Sequence, residues 1–315
     1  MRTIAKIAMA GALFCAAVTG ARAEETLEIG GVGGANAVVW LHYIAEAKGF
    51  YAAQGFKINL TYSQSNAAVL QALTAGSTKM AIAAGFADPM YAVAAGAGVA
   101  IVRIDGQAGP YALEANSKFA TIKDLKGHVV SIDEAKGTTM VYFVKMLAGN
   151  GMTRDDVDFI YAGATAARFA ALESGAADAA MITAPQLFRA EAEGYHNLGY
   201  ATDYAKDVPF TAIIANRAWA SANTETAKRF IAAYAKAIPW FNDPNNKAEA
   251  VEILSKVTKM DVNDIAKSYD FLRQIDYFDP SDTVSMAKVG NFYDALHQLD
   301  PSLNLDLTKL VMTLD

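Results

Sequence analysis

Four short loops and one arginine carry the groups best suited to hold a small molecule. Gly33-Gly34-Ala35-Asn36 and Lys136-Gly137-Thr138-Thr139 each precede a helix-like run, so each offers unpaired backbone N–H groups at a helix N-terminus. Such a place suits an anion, worth about 0.3–1 kcal/mol from the helix dipole. The Thr138 and Thr139 hydroxyls would add donors, or Thr138 simply caps its own helix. In Ser63-Gln64-Ser65-Asn66, either Ser65 or Asn66 can cap a helix, and Asn66 can present a donor and an acceptor to a ligand. In Gly85-Phe86-Ala87-Asp88-Pro89, Asp88 before Pro89 fits a cap and a first helical turn. Facing a cleft, Asp88 would favour an amine or ring N–H and oppose a bare anion. Arg168, near the start of another helix-like run, can clamp a carboxylate, sulfonate or phosphate bidentately, unless it is a surface arginine. Phe86 and Trp40 are candidate apolar or stacking walls, although the helix could equally turn Trp40 into a core. Gln107, Thr183 and Phe210 fall at expected rim and hinge positions, and Gly85 completes the ligand set.

No catalytic set accompanies these loops. The four histidines (His42, His128, His196, His297) are scattered. His42 and Glu46 share a helix face, but two ligands do not make a metal site. Gly-x-Ser-x-Gly, a Walker loop and His-Glu-x-x-His are all missing, and Gly30-Gly31-Val32-Gly33-Gly34 lacks dinucleotide-loop spacing. Neither a cofactor nor a metal is expected.

The elements that must position these loops occur twice. From Leu27 the chain reads as strand, glycine turn, helix, strand (56–62), helix (66–75), glycine and strand (79–83). From His128 it reads as strand (129–132), glycine turn, helix (140–148), strand (157–161), helix (166–174), glycine and strand (178–182). Local wording recurs as well: Ala72-Leu73-x-x-Gly76 beside Ala171-Leu172-x-x-Gly175. Glycines after helices suit left-handed C-caps. Two βαβαβ units with equivalent loops predict two α/β lobes with a small-ligand cleft between them. Strands at 99–104 and 209–215 connect the lobes. Lobe one is expected over 24–107 and 212–315, and lobe two over 108–211. Residues 216–315 read as helices (224–240, 246–256, 262–271, 283–299) packed on lobe one.

Residues 1–23 are set apart. Arg2 and Lys6 begin the chain, Ile7–Val18 is apolar but too short to span a bilayer, and Ala21-Arg22-Ala23 is a small-x-small site. This pattern predicts a secretory signal peptide cut after Ala23 and a periplasmic product. Cys15 is the sole cysteine, so the remainder has neither disulfides nor thiol chemistry. Without Arg2, Lys6 and Arg22 the 27 basic residues become 24 against 33 acidic ones, a net charge of −9. That balance disfavours nucleic acid and anionic membrane as partners.

Three motifs resemble one family. Ala45-Glu46-Ala47-Lys48-Gly49-Phe50-Tyr51, followed by Gly55-Phe56-Lys57-Ile58, is similar to its "A-x-x-K-G-F-[FY]…G-[LF]-x-V" pattern. Ile122-Lys123-Asp124-Leu125-Lys126-Gly127 and Leu172-x-x-Gly175-x-x-Asp178-Ala179 are similar to two more of its signatures. The family is that of ABC-importer solute-binding proteins of the nitrate, sulfonate, taurine and thiamine-precursor type, and the likeness runs from about Leu27 to about Leu272. It implies the type II periplasmic-binding-protein fold, lobes that close on a solute, and a membrane permease as partner; a monomer is expected. Arg168 and the Gly/Thr loops lean toward an organic acid anion such as a sulfonate or carboxylate. Asp88, Phe86 and Trp40 lean toward an amine or a pyrimidine-like thiamine precursor. A sensory partner in place of the permease is the other reading. Related pyrimidine synthases use a cysteine-rich motif, which this chain lacks, so no enzyme activity is expected.

Overall fold

The computed structural model describes residues 24–278, 280–281 and 284–314. The expected signal peptide lies outside the described residues, as do Asp282 and Thr283, where the last helix was expected to open. Ten strands form two five-stranded sheets. They are β1 (Glu25–Val32), β2 (Phe56–Ser63), β3 (Met80–Gly85), β4 (Val99–Gly106), β5 (Tyr111–Ala115), β6 (Val129–Ile132), β7 (Asp158–Tyr161), β8 (Ala179–Thr183), β9 (His196–Tyr200) and β10 (Thr211–Asn216). The first sheet has the order β2-β1-β3-β10-β4 and the second β7-β6-β8-β5-β9.

The repeat in the sequence is a repeat of topology. β1 pairs parallel with β2 and β3, as β6 does with β7 and β8. Each parallel trio is then joined by one antiparallel strand. β10 lies against β3, and β5 lies against β8. That strand arrives from the other lobe in each case, so the chain crosses twice, after β4 and before β10. The recurring glycines do equivalent work. Gly76 and Gly175 take φ of +75° and +73° after the helices Asn66–Thr74 and Thr165–Glu173. Their N–H groups bond Leu73 and Leu172 carbonyls, closing both helices alike.

Buried β-strand and helix faces merge into one apolar core. Trp40 belongs to it: the helix Trp40–Ala47 turns the indole fully inside, where Nε1 donates to the Ala250 carbonyl at 2.9 Å and Phe241 meets it edge-on. The C-terminal helices differ in detail from expectation. The run 224–240 is two helices, Thr224–Ala235 and Ala237–Asn242. An unexpected helix, Arg217–Ala222, precedes them and is capped by Asn216. The last begins at Met286, with the Ser285 hydroxyl accepting from Lys288 N. Arg217–Ala222 packs on β10 and β4, the next three helices pack on Trp40–Ala47, and Val311 bridges the edge strand at Ile101. The C-terminal helices also reach the second lobe, where Phe271 meets Phe188 and Tyr200. Among the described residues no helix is long and apolar enough to cross a membrane.

Candidate ligand site

The two lobes enclose a cavity of about 120 Å³. For scale, a dry cavity of about 150 Å³ holds benzene. The cavity sits at the carboxyl ends of the parallel strands, where open α/β sheets place their ligands. Nine of the thirteen expected residues line it: Asn36, Ser65, Asn66 and Gly85 from the first lobe, and Thr138, Thr139, Arg168, Thr183 and Phe210 from the second lobe and its hinge.

Four do not. Trp40 is core, as described. Phe86 is fully buried against Phe292 and faces away from the cavity. Gln107 lines a separate cavity with Lys206, Asp276 and Lys288, and its side chain accepts from Lys288 Nζ. Asp88 lines a neighbouring rim cavity with Tyr91, Glu134, Lys136 and Asp300. A helix period alone does not say which face packs inward, and for Trp40 and Phe86 the later helices decide it.

The helix starts prove to be mostly satisfied by the chain itself. Asn36 Oδ1 accepts from Val38 N at 2.9 Å, and Ser65 Oγ accepts from Ala68 N at 3.2 Å. Thr138 is not the cap of the helix Thr138–Gly149; Gly137 holds that position without a side-chain bond. Asp133 supplies the acceptor, taking the Thr139 N–H on Oδ2 at 3.0 Å and the Glu134 N–H on Oδ1 at 2.8 Å. Thr138 reaches across the cleft, where its Oγ1 accepts from Ala87 N at 3.1 Å. Thr139 Oγ1 pairs with the Tyr111 hydroxyl at 2.8 Å. The start of Thr165–Glu173 has neither a side-chain cap nor a carboxylate acceptor of this kind.

Arg168 is buried and already engaged. Its Nε donates to the Met181 carbonyl at 2.6 Å, Nη1 to the Gly163 carbonyl, and Nη2 to Thr165 Oγ1 at 2.8 Å. Its charge also lies near Asp133, opposing the upward push that burial gives that carboxyl. The arginine therefore fastens the loop 163–165 to β8 and offsets a buried acid. Its fork is not presented free to a ligand anion.

Glu134 is the residue the loop reading missed. It lines both the cleft cavity and the rim cavity, and its carboxylate has no hydrogen-bond or ion-pair partner among the described residues. Burial, and then Asp133, raise its pKa. Its position was readable: Asp133-Glu134 directly follow β6 at the carboxyl end of a central parallel strand. Lys136, two residues on, gives its ammonium to Asp300 at 2.6 Å. Tyr91 and Ser302 also donate to that carboxylate. This group ties the second lobe to the C-terminal segment of the first.

Asp88 faces the same acids from the first lobe. Burial pushes its carboxyl up to about 8, helped by Glu134 and Asp133, and its buried Oδ2 has no partner. An acid with a raised folded pKa binds its proton more tightly in the folded state. Its contribution to stability is therefore whole below pH 4 and declines as pH rises through 8. Asp88→Asn is expected to flatten that decline, raising stability at pH 8 relative to pH 4 by about 1–2 kcal/mol. Urea unfolding of both proteins across this range checks it, and parallel profiles would refute it.

Among the described residues no group of three or more His, Cys, Asp or Glu is placed to hold a metal ion. His42 Nε2 and Glu46 Oε2 are 3.9 Å apart, but burial depresses His42 to about 4 and its Nδ1 meets the Tyr51 hydroxyl.

Solved structures share the architecture. The alkanesulfonate-binding protein SsuA from Xanthomonas axonopodis pv. citri, bound to MOPS, is similar at 20% identity and TM-score 0.75, covering 93% of this chain and 100% of that one. The periplasmic aliphatic sulphonate binding protein SsuA from Escherichia coli is similar at 21% identity and TM-score 0.69, with 92% of each chain covered. The periplasmic nitrate-binding protein NrtA from Synechocystis PCC 6803 is similar at 18% identity and TM-score 0.66, again with 92% of each covered. At these identities the likeness is one of fold: two α/β lobes, as in periplasmic binding proteins. No curated protein sequence matches the chain. The relationship at the level of sequence comes from a family model that matches residues 36–247, two thirds of the chain, and it places this protein in the NMT1/THI5-like family.

Proposed function

We propose that this chain is an exported solute receptor. It closes its two lobes over one small organic molecule and delivers it to the permease of an ABC importer, without chemical turnover. The observation that carries this reading is the cavity between the lobes, lined by residues of both, bridged by the Thr138–Ala87 hydrogen bond and rimmed by the Lys136–Asp300 ion pair. Contacts made only when both lobes surround a ligand favour the closed form. Micromolar affinity needs only about −8 kcal/mol in total, which a few buried hydrogen bonds and the Phe210 wall can supply. The family and the fold support the same reading.

Expression of the full chain with recovery from the periplasmic fraction tests it. Intact mass is expected to begin at Glu24, and native mass spectrometry is expected to show one non-covalent small-molecule adduct per chain, lost on unfolding. A product retained in the cytoplasm with residues 1–23 attached would overturn the localisation. A periplasmic product that carries no adduct and binds nothing in the dialysis described next would overturn the receptor reading.

A further inference from the structure

The charged groups around the cleft do not add up to an anion site. Arg168, the one cation on the cavity wall, has a protein acceptor on each of its three nitrogens and lies near Asp133. The helix start behind Thr139 is taken by the Asp133 carboxylate. Asn36 and Ser65 fill the two starts on the facing lobe. A bare oxyanion entering here would meet the Asp133 and Glu134 carboxylates and no cation without protein acceptors.

What the wall leaves unpaired includes acceptors, one of them charged. Glu134 has a free carboxylate on the cavity, and Lys136 is turned away to Asp300. Gln186, on the same wall, has a buried Oε1 without a protein partner. The buried Gln186 oxygen left unpaired costs free energy that a ligand donor recovers, and a bond to the half-buried Glu134 carboxylate is charge-assisted, about twice as strong as a neutral one. We infer that the cleft selects a small solute bearing a cationic nitrogen, such as a protonated amine or amidinium, and that Glu134 is the residue that reads it. This rests on the receptor reading and narrows its ligand class. The uncapped start of Thr165–Glu173 leaves room for an acceptor elsewhere on the same molecule, so zwitterions are included.

Equilibrium dialysis of the refolded, ligand-stripped full-length mature protein tests it. The probe is a defined equimolar mixture of small primary amines, amidines and amino acids, together with carboxylates and sulfonates of the same carbon skeletons lacking nitrogen. Mass spectrometry reads what is retained. Retention of nitrogenous cations or zwitterions over their nitrogen-free counterparts is expected, with at least tenfold loss of retention in Glu134→Gln while its circular-dichroism melting curve stays cooperative. Equal loss on Glu134→Gln for both classes would show that Glu134 does not read charge and overturns its assignment. Preferential retention of nitrogen-free anions overturns the ligand class and leaves the receptor reading standing. No retention of any component overturns the ligand class and, where the periplasmic product also carries no adduct, the receptor reading with it.

Discussion

Arg168→Ala is expected to lower the unfolding free energy by about 2–4 kcal/mol, the cost of leaving buried acceptors without their charged donor. The reason is local. The substitution strips the donors from the Met181 and Gly163 carbonyls and from Thr165 Oγ1, and it leaves Asp133 without the nearby charge that opposes its desolvation. Urea denaturation followed by circular dichroism measures the loss. A loss below about 1 kcal/mol would mean that the guanidinium is not part of the frame. The experiment separates a framework arginine from a ligand clamp, because a clamp lost from an empty protein changes stability little.

The second large effect concerns closure. A Cβ at Gly85 would stand 2.5 Å from Thr138 Oγ1 and 3.2 Å from Thr138 Cβ, atoms of the opposite lobe. Gly85→Val is therefore expected to hold the lobes apart, costing the Thr138–Ala87 bond and the contacts that need a shut cleft. We expect affinity for the solute retained in dialysis to fall about 100-fold, equivalent to about 2.7 kcal/mol. Calorimetry reads the affinity, and small-angle X-ray scattering with solute present should give a larger radius of gyration than for the unaltered protein. Gly85→Ala should weaken binding less, and adding Thr138→Ala to it should return part of the loss by clearing Oγ1. Unchanged affinity in Gly85→Val would refute the claim that Gly85 is bare to let the lobes meet.

Much of this frame was legible because the chain repeats its own local rules. Ala72-Leu73-x-x-Gly76 and Ala171-Leu172-x-x-Gly175 end equivalent helices with equivalent glycines, and nine of the expected ligand residues do lie on the cavity. What failed to read was direction and partnership. Trp40 and Phe86 sit beside the loops, but Phe241, Tyr269 and Phe292, some 200 residues later, draw both rings into the core. Arg168 looked like a clamp because its type fits one; its carbonyl partners at Gly163 and Met181 are backbone groups that no residue type announces. Asp133 and Glu134 belong to no glycine turn or capping pattern, and only their place at the end of a central parallel strand marks them as a ligand position.

The strand exchange has a consequence for biosynthesis. β10 lies between β3 and β4, so the first sheet is incomplete until Asn216 has been made, with β4 unable to join β3 through its proper neighbour. The second sheet uses β5 to β9, one uninterrupted stretch of chain. The lobe begun first on the ribosome is thus finished last. The lobe begun second is free to form early and wait, and its completion delivers the strand that seals the other.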